Sequence, residues 1–395
     1  MILTNRQNAG LKEILNRYKN GEKYTVISGY AGTGKSTLVK FAIAALGVED
    51  TKVAYATYTG KAAEVLRKKG NIGACTLHKL LYDHKPLPNG RFLRLPKKSL
   101  DVSIVVVDEV SMVPQSMINL LHRHPVYVIY LGDPFQLPQI DKTDSNNLLD
   151  RPHVFLDEIM RQAAESEIIQ LTMKIRGGDK IPLMKGKEVI VMPQKELTTG
   201  CLNWADQIIV ATNATRQNIN TQVRSALGYE GTPKSGERMI CLRNYWDDLN
   251  EDGDPLVNGT TGIIQNPFET FRKIPAECRM RCRELPIIQG EFYADGSIAP
   301  FKSIEMDKDM IMLGEPCVDK RTAYHLSRYK QKYGNLVPRE FAFAYAVTCH
   351  KSQGSEWNKV LVIEETFPFD RTEHARWLYT AATRASEKLV LCQSK

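Results

Sequence analysis

The stretch GYAGTGKS at residues 29–36 decides the architecture of the first part of this chain. It matches the pattern G-x-x-x-x-G-K-[ST], and it lies between the apolar run YTVIS (24–28) and the helical stretch KFAIA (40–44). The glycines allow backbone N–H groups to close around phosphates, and the first turn of the following helix adds a positive dipole end. The sequence therefore predicts a strand–loop–helix unit that holds the phosphates of a nucleotide.

Two side chains of this loop have predicted chemical roles. We expect Lys35 to reach the β- and γ-phosphates of ATP and the Ser36 hydroxyl to ligate Mg²⁺. The other expected cofactor-binding residues of the loop are Gly29, Gly32, Thr33, Gly34 and Thr37. A tight strand–helix turn without a ligand is the alternative, but the position of the motif between a strand and a helix favours the nucleotide site.

A second element of the predicted site is an acidic pair, Asp108-Glu109, at the end of another apolar run in the segment VVVDE (105–109). A buried strand would deliver Asp108 to its carboxyl end, where the carboxylate can hold Mg²⁺ through water. Adjacent Glu109 is placed to orient or deprotonate an attacking water. A surface turn is the alternative, and the preceding phosphate loop favours the catalytic interpretation.

Apolar runs separated by helical stretches continue along both halves of the chain. Unbroken apolar strands of this kind indicate a parallel sheet covered on both faces, which is an α/β fold. The pattern starts again after Gly177-Gly178, a plausible hinge, and so predicts two α/β domains. The remaining runs are VAYA (53–56), IVVV (104–107), VYVIYL (126–131), QIIVA (207–211), KVLVI (359–363) and LVL (389–391).

Two interruptions suggest insertions. Residues 83–98 contain three prolines and Asn89-Gly90, a strong hairpin signal. Residues 244–340 have many turns and little helical periodicity, which favours a small β-rich insert. The predicted organisation is a first domain in two parts (1–82 and 99–178) with a hairpin at 83–98, and a second domain in two parts (179–243 and 341–395) with the insert at 244–340.

The composition narrows the class of protein. Of 395 residues 43% are hydrophobic, and no run of 18 apolar residues suggests a membrane span. The first residues lack the pattern of a signal peptide, so we expect a cytoplasmic protein of a bacterial cell or a phage-infected host. Eight scattered cysteines do not form a disulfide scaffold, and the net charge of +8 is compatible with a polyanionic partner.

A family resemblance extends over residues 4–385. The chain resembles superfamily 1 DNA helicases of the RecD/Dda branch, with DEVSM (108–112) as motif II and LGDPFQLP (131–138) as motif III. The other similar segments are TNRQNA (4–9), TYTGKAA (57–63), TLHKLL (76–81), YAVTCHKSQGSE (345–356) and LYTAATRA (378–385). Tyr58 and Tyr30 stand where the family often has proline.

The resemblance implies the fold and the ATP chemistry. It implies two RecA-like domains with an SH3-like insertion, which hydrolyse ATP to move along single-stranded DNA, 5′ to 3′. Gln7 would read the adenine, and Gln136 would sense the γ-phosphate. Arg384 and Arg161 would contact the phosphates, with a surface salt bridge as the alternative for each. Glu356 would hold the ribose or cap a turn.

The resemblance also implies DNA contacts. Residues of motifs Ia and V and of the second domain's strand-to-helix turn are the candidates: Thr59, Lys61, His78, Asn213, Arg216, Thr348 and His350. Phe92, beside the predicted hairpin turn, would stack on a base or wedge the duplex apart, or would pack on its own domain.

The expected partners are single-stranded and forked DNA, with single-strand-binding or replisome proteins as further candidates, and we expect a monomer. A helicase in replication, recombination or repair is the first hypothesis. A translocase or DNA-stimulated ATPase that displaces proteins with little unwinding is the second. A nucleotide kinase would not need a second RecA-like half, and a decayed regulatory subunit would not need intact Lys35, Asp108 and Glu109.

Overall fold

The computed structural model describes residues 3–86, 92–138, 142–280, 282–366 and 370–394, and for residues 84–86, 92–93, 142 and 161–162 it describes only the backbone. In the first half of the chain the elements are α1 (Asn5–Lys19), β1 (Tyr24–Gly29), α2 (Lys35–Leu46), β2 (Val53–Thr57), α3 (Gly60–Lys68), β3 (Cys75–Thr76), α4 (Leu77–Leu81), β4 (Tyr82–Pro86), β5 (Phe92–Pro96), β6 (Ile104–Val107), α5 (Gln115–Leu121), β7 (Tyr127–Gly132), β8 (Val154–Leu156), α6 (Arg161–Ala164) and α7 (Glu167–Gly177).

The first sheet confirms the parallel α/β prediction. Within the described residues it has six strands in the order β3-β2-β6-β7-β1-β8, all parallel. Strand β6 shows why its sequence is apolar throughout. Val105 and Val107 belong to the core on one face of the sheet, and Ile104 and Val106 belong to the core on the other. Because successive side chains point to opposite faces, a strand that is buried on both sides has no polar position.

Strands β4 and β5 form an antiparallel hairpin that leaves the first domain after α4, with Tyr82 opposite Pro96. The predicted Asn89-Gly90 turn lies outside the described residues, as does the side chain of Phe92.

The second half of the chain contains the elements β9 (Met184–Lys185), β10 (Val189–Pro193), α8 (Thr199–Trp204), β11 (Gln207–Val210), α9 (Asn213–Ala226), β12 (Arg238–Cys241), β13 (Tyr245–Leu249), β14 (Pro255–Leu256), β15 (Thr261–Lys273), β16 (Glu284–Ala294), β17 (Phe301–Asp307), α10 (Lys308–Leu313), α11 (Lys320–Ser327), α12 (Lys330–Tyr333), β18 (Phe341–Phe343), β19 (Ala346–Thr348), α13 (Cys349–Ser352), β20 (Trp357–Ile363), α14 (Arg371–Ala382) and β21 (Ala385–Gln393).

Two further large sheets are built from these strands. In the part of the chain that is described, the second sheet has the order β19-β11-β20-β21-β10-β9 and is parallel apart from β9. An antiparallel sheet, β17-β16-β15-β12-β18, fills the interval between β11 and β19. This insert sheet includes β12 and β18, so it extends a few residues beyond 244–340 at each end.

No helix among the described residues is long and apolar enough to cross a membrane. All eight cysteines are free thiols.

Candidate active site between the two sheets

The phosphate-binding loop follows β1 and leads directly into α2 at Lys35. Gly34 has a φ of +79°, and a Cβ at this position would lie 2.4 Å from Nε2 of Gln7, so both the backbone conformation and the space require glycine. The ammonium of Lys35 donates to the carbonyls of Gly29 (2.7 Å) and Tyr30 (3.0 Å). The cation therefore lies inside the curve of the loop, where phosphates are expected.

Gln7 connects α1 to this loop. Its side chain is buried, its Oε1 accepts the N–H of Thr4 (3.1 Å), and its Nε2 donates to the carbonyl of Thr33 (3.2 Å). The side-chain amide is thus held at the start of α1 through its oxygen and at the phosphate-binding loop through its nitrogen. The sequence placed Gln7 at the nucleotide by resemblance, and the structure brings it against the phosphate-binding loop.

Asp108 and Glu109 follow β6 at the carboxyl edge of the sheet. The N–H of Glu109 donates to Oδ1 of Asp108 (2.8 Å), and Glu109 itself has a φ of +53°. A non-glycine residue in the left-handed region is uncommon, and such strain is concentrated at functional sites. Burial raises the pKa of both carboxyl groups, and the guanidinium of Arg384 opposes this rise for Glu109.

Ser36 and Asp108 line the same small cavity beside the loop. A hydroxyl and a carboxylate are the hard oxygen donors that Mg²⁺ prefers. Within the described residues no group of three or more His, Cys, Asp or Glu side chains could hold a metal. The hydroxyl of Ser36 beside the carboxylate of Asp108 is a donor pair that fits Mg²⁺.

The second sheet supplies Arg384 to this site. Arg384 follows α14, is buried, and is held by the carbonyls of Thr380 and Ser355, both at 3.1 Å. Its guanidinium lies 3.8 Å from Oε1 of Glu109. With its carboxamide in the orientation that suits both neighbours, Gln136 donates to Glu109 (3.2 Å) and accepts from Arg384 (3.2 Å). The three predicted residues therefore form one constellation across the interface between the domains.

Leu137 continues this interface. Its N–H donates to the hydroxyl of Thr380 (2.9 Å), and its carbonyl accepts from the side chain of Gln353 (2.5 Å). The segment after β7 is thereby fixed to two elements of the second domain.

A cavity of about 380 Å³ lies where the first domain, the second domain and the insert meet. Thr59, His350 and Lys351 line it together with Trp246 and Asn258 of the insert. The Lys351 ammonium donates to Oδ1 of Asn258, and burial lowers the pKa of Lys351 to about 8. Thr348 immediately precedes α13, which carries His350 and Lys351. We call this cavity the three-way groove.

Two other DNA candidates are engaged with the protein itself. Lys61 pairs with Glu64 (2.8 Å) and with Asp295 of the insert (3.5 Å). His78 is buried and stacks on Trp246, with ring centroids 3.9 Å apart. Both therefore contact the insert, and Lys61 also lines the three-way groove.

Asn213 and Arg216 lie on the first turn of α9, where Asn213 is exposed and Arg216 is buried. Nε of Arg216 has no hydrogen-bond partner among the described residues, and burial lowers the pKa of its guanidinium. A buried and incompletely paired cation is costly, so this arginine is suited to an anion.

Two candidates remain, Glu356 and Arg161. Glu356 pairs with Lys69 of the first domain at 2.5 Å, and the side chain of Arg161 lies outside the described part. Sequence reasoning missed Trp246 and Lys351. Lys351 stands beside His350 in the quoted motif V run, so proximity could have suggested it. Trp246 had only a neighbouring aromatic, Tyr245, as a signal.

Fold and site together define a P-loop ATPase in which the candidate catalytic groups come from two α/β domains. Residues 2–189 match the AAA domain family, and residues 343–392 match the UvrD-like helicase C-terminal domain. The uncharacterized protein R530 of Acanthamoeba polyphaga mimivirus is 31% identical, over 96% of this chain and 97% of its own length.

Two helicases are also similar. The ATP-dependent RecD2 DNA helicase of Deinococcus radiodurans is 34% identical over 93% of this chain, which spans only 46% of that protein's length. The Pif1 helicase from Bacteroides, solved in complex with ADP-AlF3 and ssDNA, has the same fold, with a TM-score of 0.52 and 19% identity over 100% of this chain and 93% of its own. The chain belongs to the superfamily 1 helicases of the RecD/Dda branch, and the Pif1 structure shares its fold.

Proposed function

We propose that this protein is an ATP-dependent DNA helicase that moves 5′ to 3′ along single-stranded DNA and separates the strands of a fork. The observation that carries the proposal is the meeting of Arg384, from the second domain, with Glu109 and Gln136 of the first. Because the hydrolytic group and the arginine come from different domains, the site is complete only when the domains are closed. Hydrolysis can therefore drive a domain movement.

The proposed division of labour in hydrolysis follows the geometry. Lys35 and the loop amides would bind the phosphates, and Glu109 would orient and deprotonate the attacking water. Arg384 would stabilise the charge that develops on the γ-phosphoryl oxygens, and Gln136 would report the state of that phosphate to the second domain. Arg161 is proposed as the second phosphate-contacting arginine, Gln7 as the adenine contact and Glu356 as the ribose contact.

Ser36 and Asp108 would hold Mg²⁺, which would neutralise phosphate charge when bound. The shared cavity of a hydroxyl and a carboxylate supports this assignment.

The three-way groove is our candidate path for single-stranded DNA. It combines hydroxyl, imidazole and ammonium groups with the aromatic surface of Trp246, and such grooves bind strands through phosphate contacts and base stacking. The Pif1 structure holds ssDNA, and the Deinococcus relative is named a DNA helicase, which supports DNA as the polymer. Thr59, Thr348 and His350 are the proposed first contacts.

Arg216, Asn213, Lys61, His78 and Phe92 are proposed to extend this path. Lys61 and His78 would first have to exchange their partners in the insert for DNA.

ATP turnover with and without single-stranded DNA tests the motor, and unwinding of duplexes with a 5′ or a 3′ tail tests its direction. We expect DNA to stimulate turnover and the 5′-tailed duplex to be opened. DNA-independent turnover would contradict the proposal. Stimulation together with displacement of a bound protein, but without unwinding of either duplex, would favour a translocase that clears proteins from DNA.

A further inference from the structure

A tyrosine of the second domain bridges two segments of the ATP site. The hydroxyl of Tyr379, on α14, accepts a hydrogen bond from the N–H of Ala31 in the phosphate-binding loop (2.9 Å). It donates a hydrogen bond to Oδ2 of Asp133, in the segment after β7 (2.6 Å). Tyr379 and Asp133 are both almost completely buried, so the bridge is shielded from water.

The chemistry of the hydroxyl determines the direction of both hydrogen bonds. Burial and the neighbouring Asp133 carboxylate raise the pKa of Tyr379, so the hydroxyl keeps its proton. With a single proton it can donate only to the carboxylate, and it must accept from the amide. A hydrogen bond to an ionised acceptor is among the stronger ones, and a buried amide that loses its acceptor is costly.

The position of Tyr379 links this bridge to the catalytic groups. Asp133 uses its other oxygen, Oδ1, to accept the N–H of Phe135 (3.0 Å), one residue before Gln136. Toward its carboxyl end, α14 leads to Arg384, which faces Glu109. The side chain of Tyr379 thus connects α14, the helix that leads to Arg384, to two segments of the first domain. These are the phosphate-binding loop and the segment that carries Gln136.

We propose that Tyr379 is a positioning residue that aligns Arg384 and Gln136 with Glu109 when the two domains close. This inference rests on the proposed function, since it assumes turnover that depends on closure. Tyr379 would act through these groups and would not contact the reacting atoms.

The test is the variant Tyr379→Phe. It keeps the ring and its edge-to-face packing on Phe135, with centroids 5.2 Å apart, and removes only the hydroxyl. Tyr127→Phe is the matched control. Its buried hydroxyl bonds Thr25 (2.5 Å) within the first domain, away from the interface between the domains.

We expect Tyr379→Phe to lower kcat at saturating single-stranded DNA about tenfold. The Kd for ATP, measured by nucleotide binding, should change less than about threefold, because Lys35 and the other side chains of the loop are retained. Tyr127→Phe should keep kcat within about twofold of the wild type. A general loss of packing would move melting temperature and activity together in both variants.

A double-mutant cycle with Asp133→Asn gives a second measurement. If the pair acts as one unit, the double variant should lose much less than the product of the two single losses. Multiplied losses, or a Tyr379→Phe enzyme with the wild-type kcat, would overturn the inference while leaving the helicase proposal intact. A wild-type enzyme that DNA does not stimulate would instead overturn the proposed function.

Discussion

Replacement of Arg384 by alanine tests the central claim that the second domain completes the site. Arg384 is only 5% exposed, and its guanidinium lies 3.8 Å from the carboxylate of Glu109, so it acts where water screens poorly. At an effective dielectric constant of about 20, a unit charge at about 4 Å interacts with another by about 4 kcal/mol. The γ-phosphoryl group would approach the same guanidinium, so the loss in the transition state should be of similar size.

A change of about 4 kcal/mol corresponds to about a thousandfold in kcat, which is within the range known for arginines that act across domains. We expect Arg384→Ala to lose about this factor in ATP turnover at saturating single-stranded DNA. Its Kd for DNA should change little, because the three-way groove is formed by other residues. Steady-state ATPase assays and fluorescence anisotropy with a labelled oligonucleotide measure the two quantities separately.

Two companion variants sharpen this test. Arg371→Ala removes an exposed arginine from the first turn of the same helix, and it should behave as wild type. Arg384→Lys keeps the charge but loses the forked donor geometry, so its turnover should lie between those of the alanine variant and the wild type. Because Arg384 also bonds two backbone carbonyls, melting temperatures must accompany the rates. A well-folded Arg384→Ala enzyme with turnover within threefold of wild type would refute the reasoning.

Three further predictions concern ATP hydrolysis, the three-way groove and the hairpin. Glu109→Gln should still bind ATP but should hydrolyse it about a thousandfold more slowly, whereas Lys35→Ala should weaken nucleotide binding itself. Measurements of equilibrium ATP binding and of ATP turnover separate the two effects, and near-normal turnover by Glu109→Gln would contradict the role of Glu109 as the base. Lys351, with a pKa of about 8, should lose its charge as pH rises from 7 to 9, so DNA affinity should fall over that interval. Lys351→Met should flatten this dependence of DNA affinity on pH, and an unchanged dependence would contradict a contact between Lys351 and DNA. Phe92→Ala should reduce duplex unwinding several-fold and leave DNA-stimulated ATPase largely intact, since one aromatic stack contributes about 1–3 kcal/mol; parallel losses would assign Phe92 to strand binding, and no change would assign it to packing.

The apolar runs predicted the sheets well because their signal is local. The run at 104–107 is buried on both faces, and that burial alone excludes polar residues from it. The insert was harder to bound. Strands β12 and β18 lie just outside its predicted bounds. The pairing of β12 with β15 on one side and with β18 on the other assigns both to the insert sheet.

The contacts that the candidate DNA-binding residues make within the protein could not be predicted from the sequence. Lys61 and His78 were chosen from motif positions, and those positions say nothing about Asp295 or Trp246, which contact them from the insert. The insert was predicted from its many turns and its lack of helical periodicity, and no residue in it was assigned a role. Its contributions to the three-way groove therefore appear only in the folded chain.

The sequence by itself determined those features that are encoded by residues adjacent in the chain. Each of three features occupies a few consecutive residues: the phosphate-binding loop, the Asp108-Glu109 pair and the apolar strands. They can be predicted locally because backbone geometry and strand burial constrain residues that are close in sequence. The tertiary structure decided which distant groups meet. Ala31 and Tyr379 are separated by 348 positions, and Asp133 and Tyr379 by 246, yet one hydroxyl joins all three. Contacts between such distant residues depend on how whole sheets and helices pack. That packing results from many weak contacts spread over the chain, so a short segment of sequence does not reveal it.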